Sequence, residues 1–293
     1  MIGKTRQGLS KRKPVKIVEE YDSGAGKARG ILRRTMAEGS IQHFRRDPAP
    51  ELTPWIMHYW MIHWDMRGCK PHLAENLPHP NVHLIFENGK KGMVSGVQTR
   101  RFSRVLDDKS WVFGVKFRAG GFRPFFGKRI SELADKTIPA RRVFGNSAKE
   151  LEAIALSSCP DEEKIAAANK FFLARMPKPD KTIALASELV DLILRDIEIK
   201  QVDDLVVRSC IGKRTLQRIF REYVGASPKW VVCRYRLHEV VEKLNSGQKL
   251  DWAQLALDLG YFDQAHLIND FKALVGWTPA QFVKQITNHH RES

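Results

Sequence analysis

Cysteine is scarce in this chain. Its four thiols, Cys69, Cys159, Cys210 and Cys233, are dispersed over 293 residues, with no pair at metal-ligand spacing. They fall in segments expected to be largely buried or helical, and reduced thiols in a cytoplasm account for them without a disulfide framework or a zinc site. The same dispersion excludes the clustered zinc-cysteine centre of a DNA-repair methyltransferase. Long apolar runs are missing as well. Nothing approaches the roughly 18 to 20 residues of a membrane span, and the basic start is not followed by a signal-type stretch, so a soluble, cytoplasmic protein without a membrane partner is expected. There is no glycine-rich phosphate loop: Gly114, Gly120 and Gly121 lack a neighbouring Lys-Ser or Lys-Thr and read as bends. No nucleophile, base and acid can be named together and no Ser or Cys sits in a recognisable elbow, so neither a catalytic residue nor a cofactor is expected. An enzyme built on the N-terminal half is therefore the remote alternative.

Acid is in short supply. Against 49 Lys and Arg there are 33 Asp and Glu, a net charge of +16 with a pI near 9.8, and such an excess favours a polyanion through counterion release. The excess is uneven: residues 1–46 hold 12 bases against 4 acids (+8), residues 200–293 hold 14 against 10 (+4), and the middle supplies the other +4. Half of it thus lies in a basic arm, residues 1–41, with the run Lys11-Arg12-Lys13 and the stretch Asp22-Ser23-Gly24-Ala25-Gly26. This arm reads as a flexible extension. A nonspecific nucleic-acid-binding protein driven by the arm is the alternative function, and its salt response would depend on residues 1–46.

What is present divides in two. Residues 42–145 carry short apolar runs rich in aromatic and β-branched residues, at 55–64, 82–86, 93–97 and 111–117, punctuated by Glu87-Asn88-Gly89, Asp107-Asp108 and Gly120-Gly121. A β-rich barrel or sandwich is expected. Five histidines, His58, His63, His72, His79 and His83, lie close in sequence but without coordinated spacing, so they read as strand residues and no metal site is expected. Trp55, Trp60, Trp64, Phe86 and Trp111 are candidates for lining an apolar effector pocket, although plain core is the commoner use of such residues. Residues 146–180 read as a helical linker: Ser147 caps a helix to residue 156, Pro160-Asp161 opens another to residue 175, and Met176-Pro177-Lys178-Pro179-Asp180 breaks the pattern as a hinge. Residues 181–293 are expected to be all-α, making the chain α+β.

In this last part core and helix-breaking positions recur at an offset of 51: Leu216 with Leu267, Phe220 with Phe271, Gly225 with Gly276, Ser227 with Thr278 and Pro228 with Pro279. Upstream the offset is 50, since Leu205-Val206 answers Leu255-Ala256, so the second copy has one extra residue in a turn. Two copies are too few for a solenoid, and two helix-turn-helix units fit better. In the first copy Leu216, Ile219, Phe220 and Tyr223 form one stripe of a helix. Arg214, Gln217, Arg218 and Arg221 form another, with no carboxylate before Glu222. Arg reads guanine O6 and N7 in bidentate fashion and Gln reads adenine, so this face suits the major groove of double-stranded DNA. Lys213 and Thr215 flank it.

The segments VDDLVVRSCIGKRTLQRIFREYVGASPKW, RYRLHEVVEKL and LDWAQLALDLGYFDQAHLINDFKALVGWTPAQF resemble the two-module DNA-binding domain of AraC/XylS-family transcription regulators over about the last 110 residues. Leu-Gln-Arg-Ile-Phe at 216–220 and Gly-Tyr-Phe-Asp-Gln at 260–264 carry the likeness most strongly. The resemblance implies a long helix joining two helix-turn-helix units, with Arg214, Gln217 and Arg218 at base-reading positions. The second copy departs: its corresponding residues are Ala265, Ile268 and Asn269, leaving Gln264, His266, Asn269 and Lys272 as polar contacts and implying less base reading. Val206 also departs, standing where a small residue is usual, with Ser209 set against Gly260. Leu-Pro-His-Pro at 77–80, Val-His-Leu-Ile-Phe at 82–86 and Phe-Gly-Val-Lys-Phe-Arg at 113–118 resemble the N-terminal region of a branch of AraC-like regulators. That implies a sensor or dimerisation role, hence a small-molecule effector, a homodimer and, for an activator, RNA polymerase as further partners.

Overall fold

The computed structural model describes residues 18–22, 40–248 and 250–291. The Lys11-Arg12-Lys13 run and most of the expected arm lie outside them. Within the arm, however, Val18–Tyr21 forms a strand, β1, parallel to β2, Ser40–Arg46. Asp22 anchors it, its amide donating to the Arg45 carbonyl at 3.1 Å and its carboxylate accepting from the Asp47 amide at 3.0 Å. The expectation of a flexible extension through residue 41 is corrected for this strand.

Seven more strands follow: β3, Ile56–Asp65; β4, His72–Asn76; β5, His83–Glu87; β6, Met93–Ser95; β7, Phe102–Leu106; β8, Lys109–Phe117; and β9, Thr137–Pro139. One sheet runs β1-β2-β3-β8-β5-β6-β9, while β4 and β7 pair apart as a ribbon. The expected barrel or sandwich is thus an open sheet with a ribbon. At one edge the sheet ends in β9, a strand of 3 residues beside the equally short β6, and short edge strands are a common way of stopping further pairing.

Alternation along the strands sorts the two faces. A bulge after Ile56 shifts the register, so Ile56 pairs with Phe117 and His58 with Lys116. Ile56, Tyr59, Met61, Phe113, Val115 and Phe117 consequently share a fully buried face. Two short helices come next, α1, Arg123–Phe126, and α2, Arg141–Phe144, and the longer helices that follow pack on this face: α3, Ala148–Ala155; α4, Asp161–Leu173; and α5, Lys181–Arg195. The opposite face carries His58, Trp60, Ile62 and Trp64, and a smaller core forms where Trp64 and Val112 meet Leu106 of the ribbon. Gly114 permits the crossing of Trp60, because a Cβ there would lie 2.1 Å from the indole ring.

The helical part comprises α6, Val202–Ser209; α7, Lys213–Ile219; α8, Pro228–Asn245; α9, Trp252–Asp258; α10, Gln264–Val275; and α11, Pro279–Arg291. The Pro-containing segment at 176–180 separates helices but not cores. One apolar cluster continues from Phe113 and Phe172 through Ile183 and Leu205 to Phe220 and Tyr235. A second surrounds Leu237, Leu255, Leu267, Phe271 and Phe282, and it takes in Leu77 from the N-terminal part. The first helix-turn-helix unit therefore shares its core with the sheet, and the second is plugged by a loop from it.

Candidate nucleic-acid interface

Each unit is held by local caps. In α6 the Gln201 amide donates to Asp204 Oδ2 at 3.0 Å as part of a capping box, and the helix ends on Cys210 in the left-handed region, φ 55°. Helix α7 then starts from Gly212, and a π turn over Phe220–Val224 closes at Gly225, φ 92°. In the second unit Asp251 caps α9 by accepting from the Ala253 and Gln254 amides. Gly260 ends the first turn with φ 71°, Asp263 caps α10 through the His266 amide at 2.7 Å, and Gly276 closes it with φ 86°. The two left-handed positions, Cys210 and Gly260, correspond at an offset of 50, whereas the caps Gly212 and Asp263 differ by 51. The extra residue thus lies in the turn, as expected, but Gly260 answers Cys210 rather than Ser209. The lengthened turn exposes Phe262, 91% accessible.

Leu216, Ile219 and Phe220 are buried, while Lys213, Arg214, Thr215, Gln217, Arg218 and Arg221 are exposed. Arg214, Thr215, Gln217, Arg218 and Arg221 line one open groove of about 580 Å³. Two of the cations have acidic neighbours: Lys213 Nζ lies 2.9 Å from Asp203, and Arg218 lies 3.9 Å from Glu222. Both pairs are solvated and of small energetic consequence, so the side chains are available to another anion. In the second unit Gln264, His266, Asn269 and Lys272 are exposed and Leu267 and Phe271 buried. His266 packs edge-on against Tyr261 and lies 4.0 Å from Asp270, a carboxylate standing where the first unit has Ile219. A second groove of about 460 Å³ brings Lys213 and Gln217 together with His266 and also with Lys229, which sequence reading missed. Lys229 follows the helix-opening Pro228, a cue that marks a helix start but not a surface.

The five aromatic candidates for an effector pocket do not converge. Trp55 and Phe86 belong to the large core and Trp111 packs against it, whereas Trp64 and Trp60 belong to the smaller core on the opposite face. Strand alternation divides them. Among the described residues no group of three or more His, Cys, Asp or Glu is placed to hold a metal, and no helix is long and apolar enough to cross a membrane. Cys210, which closes α6, is exposed and the other three thiols are half-buried, all unpaired as disulfides.

Residues 205–285 match a family model described as a helix-turn-helix domain. The chain carries an AraC-type helix-turn-helix domain. Residues 44–139 match a domain of unknown function, DUF6597. No curated protein matches the chain. Among solved structures, an apo variant of ToxT from Vibrio cholerae strain SCE256 is 12% identical, covering 78% of this chain and 97% of its own at a TM-score of 0.37. ToxT from Vibrio cholerae O395 is 13% identical over 74% and 94%, with a TM-score of 0.35. The xylose-binding transcription activator xylR is 17% identical over 42% and 38%, with a TM-score of 0.25.

Proposed function

We propose that the protein is a sequence-specific transcription regulator whose first recognition helix, α7, reads bases while the second, α10, mainly holds the DNA backbone. The observation that carries this reading is the split of α7 into a buried stripe, Leu216, Ile219 and Phe220, and an exposed one, Arg214, Gln217 and Arg218. Guanidinium and amide groups in this arrangement can form bidentate contacts with guanine and adenine edges. The face of α10 offers amide and imidazole groups at Gln264, His266 and Asn269 and one ammonium at Lys272, with Asp270 beside them. With one ammonium and no guanidinium, that face supports a phosphate contact through Lys272 and fewer bidentate base contacts than α7 offers. The N-terminal sheet modulates docking through an effector or through self-association, and an activator would also meet RNA polymerase.

Selection of bound duplexes from a randomised pool tests the reading. An enriched motif that persists when residues 1–16 are removed supports it. A pool left unenriched, with binding that follows salt alone and is insensitive to Arg214→Ala, overturns it and favours the nonspecific alternative.

A further inference from the structure

The extra residue in the turn of the second unit is Phe262. Cys210 answers Gly260 as the left-handed position, and Ile211 answers Tyr261, since each is half-buried and packs against the core of its own unit. The caps Gly212 and Asp263 then match, which leaves Phe262 as the insertion. Everything around it is fastened. The Gly260 amide donates to the Leu257 carbonyl at 3.0 Å and the Tyr261 amide to the Ala256 carbonyl at 2.9 Å. The Tyr261 ring stands edge-on to His266, and its hydroxyl lies 3.0 Å from Cys233 Sγ on α8. With Asp263 capping α10 on the other side, the backbone holds Phe262 outward.

The ring serves neither turn nor core. It joins no apolar cluster, and its 91% exposure is the highest of any large apolar side chain among the described residues. A single exposed apolar group is ordinary on a protein surface, so its place is what counts. Val207, 74% exposed on α6, and Leu257, exposed on α9, line neither groove of the helical part, whereas Phe262 lines the one it shares with Lys200, Lys213, Gln217, Lys229 and His266. Three ammonium groups there stand against two carboxylates, Asp203 and Asp270, an excess that complements a polyanion. Gln217 also lines the groove of Arg214, Arg218 and Arg221, so the ring borders the polar face of α7. A phenyl ring has nothing to offer a phosphate. The apolar group that DNA presents in its major groove is the C5 methyl of thymine, which Phe is suited to meet and to which no guanidinium or amide can hydrogen-bond.

We propose that Phe262 is a specificity-determining residue whose ring packs on the C5 methyl of a thymine beside the bases read by α7. The second unit thereby adds one apolar contact to the phosphate contact of Lys272. This role rests on the function proposed above and deepens it, naming a base that the polar residues of α7 leave unread.

The motif that the full chain enriches from random duplexes provides the test. Each thymine of the motif is replaced in turn by uracil, which removes the methyl and keeps the pairing edge. In the unaltered protein, uracil at one position should weaken binding about fourfold, the worth of one buried methyl-sized group. Phe262→Ala should bind the thymine duplex less well and no longer distinguish thymine from uracil at that position, and Phe262→Leu should restore part of the preference. Thermal melts of Phe262→Ala should match the parent, because the ring is solvated in the free protein. The proposal is overturned if no uracil substitution weakens binding by the unaltered protein, or if Phe262→Ala keeps the full preference for thymine, as it would if the ring rested on the sugar-phosphate backbone. The uracil scan needs no variant, so a folding defect cannot obscure it. A pool that enriches no motif removes the regulator reading and this contact with it, whereas an enriched motif indifferent to uracil removes the contact alone.

Discussion

Arg234 Nε donates to the carbonyl of Pro78 across 156 residues of sequence, at 2.6 Å and out of contact with solvent. Around this bond the N-terminal part grips both helix-turn-helix units. Trp230 Nε1 donates to the Thr99 carbonyl at 3.1 Å, and Gly225 lies so close to Ile130 that a Cβ would meet its Cγ2 at 2.6 Å. Arg101 pairs with buried Glu75 and lies over Trp277 at the end of the second unit. Arg234→Ala leaves the Pro78 carbonyl buried and unpaired, and a loss of about 1 to 3 kcal/mol is expected in urea denaturation. A variant within 0.5 kcal/mol of the parent, roughly the scatter of a surface substitution, would show the contact to be dispensable.

Stability should rise with pH through the alkaline range because of Lys116. Its folded ammonium, pushed down by burial and by Arg45 and Arg234, titrates at about 7 while the unfolded one holds its proton to 10.5. Between those values the unfolded chain binds more protons, so raising the pH favours the folded state. His43 and His83, both lowered to about 3 by burial, act alike on the acid side: stability is lost as pH falls from 6.5 toward 3. Denaturation midpoints at pH 7.5 and 9.5 check the first effect. The rise should flatten in Lys116→Met, and an equal rise in both proteins would assign it elsewhere.

The helical half was legible because its constraints are local. Paired glycines, Ser227-Pro228 and the stripe from Leu216 to Phe220 recur wherever the same turn and the same buried face recur. The open sheet was not legible, since nothing in the runs at 82–86 or 111–117 states whether their edges meet. Nor could the aromatics be assigned to one pocket, because the bulge after Ile56 sets the parity of β3 and thereby decides which way Trp60 and Trp64 project. Arg234 escaped notice for a related reason: a cation on a helix is ordinarily solvated, and its partners come from a distant loop. Lys116 likewise sits in Phe-Gly-Val-Lys-Phe-Arg, where alternation suggests an outward lysine until the loop and α8 cover it.

The turn at Cys210 offers a test of the corrected alignment. Its φ of 55° is one that residues with a Cβ adopt at a cost of about 1 to 2 kcal/mol, and the second unit uses Gly260 for the same task. Glycine surrenders part of that gain through backbone entropy. Cys210→Gly should therefore stabilise the protein by roughly 0.5 to 1 kcal/mol. Gly225→Ala should do the reverse, having both a positive φ and Ile130 in the way. Thermal melts of the two variants moving in the same direction would contradict the assignment of these positions.

Arg218 and Asn269 occupy equivalent places in the two recognition helices, and their exchange of a guanidinium for an amide sets the expected division of labour. Arg218 has only a solvated Glu222 at 3.9 Å to leave behind, so a guanine edge competes for it at little cost. Asn269 has one residue beyond it the carboxylate of Asp270, which repels phosphate and offers nothing to an acceptor edge. Arg218→Ala should cost about 1 to 3 kcal/mol of specific binding and relax the preference at one base pair. Asn269→Ala should cost less and leave the selected motif intact. Titrations of both variants on the selected duplex and on a scrambled one, at matched salt, separate lost reading from lost attraction, because a phosphate contact weakens both duplexes together. Equal specific losses at the two positions would mean that α10 reads bases as fully as α7 does.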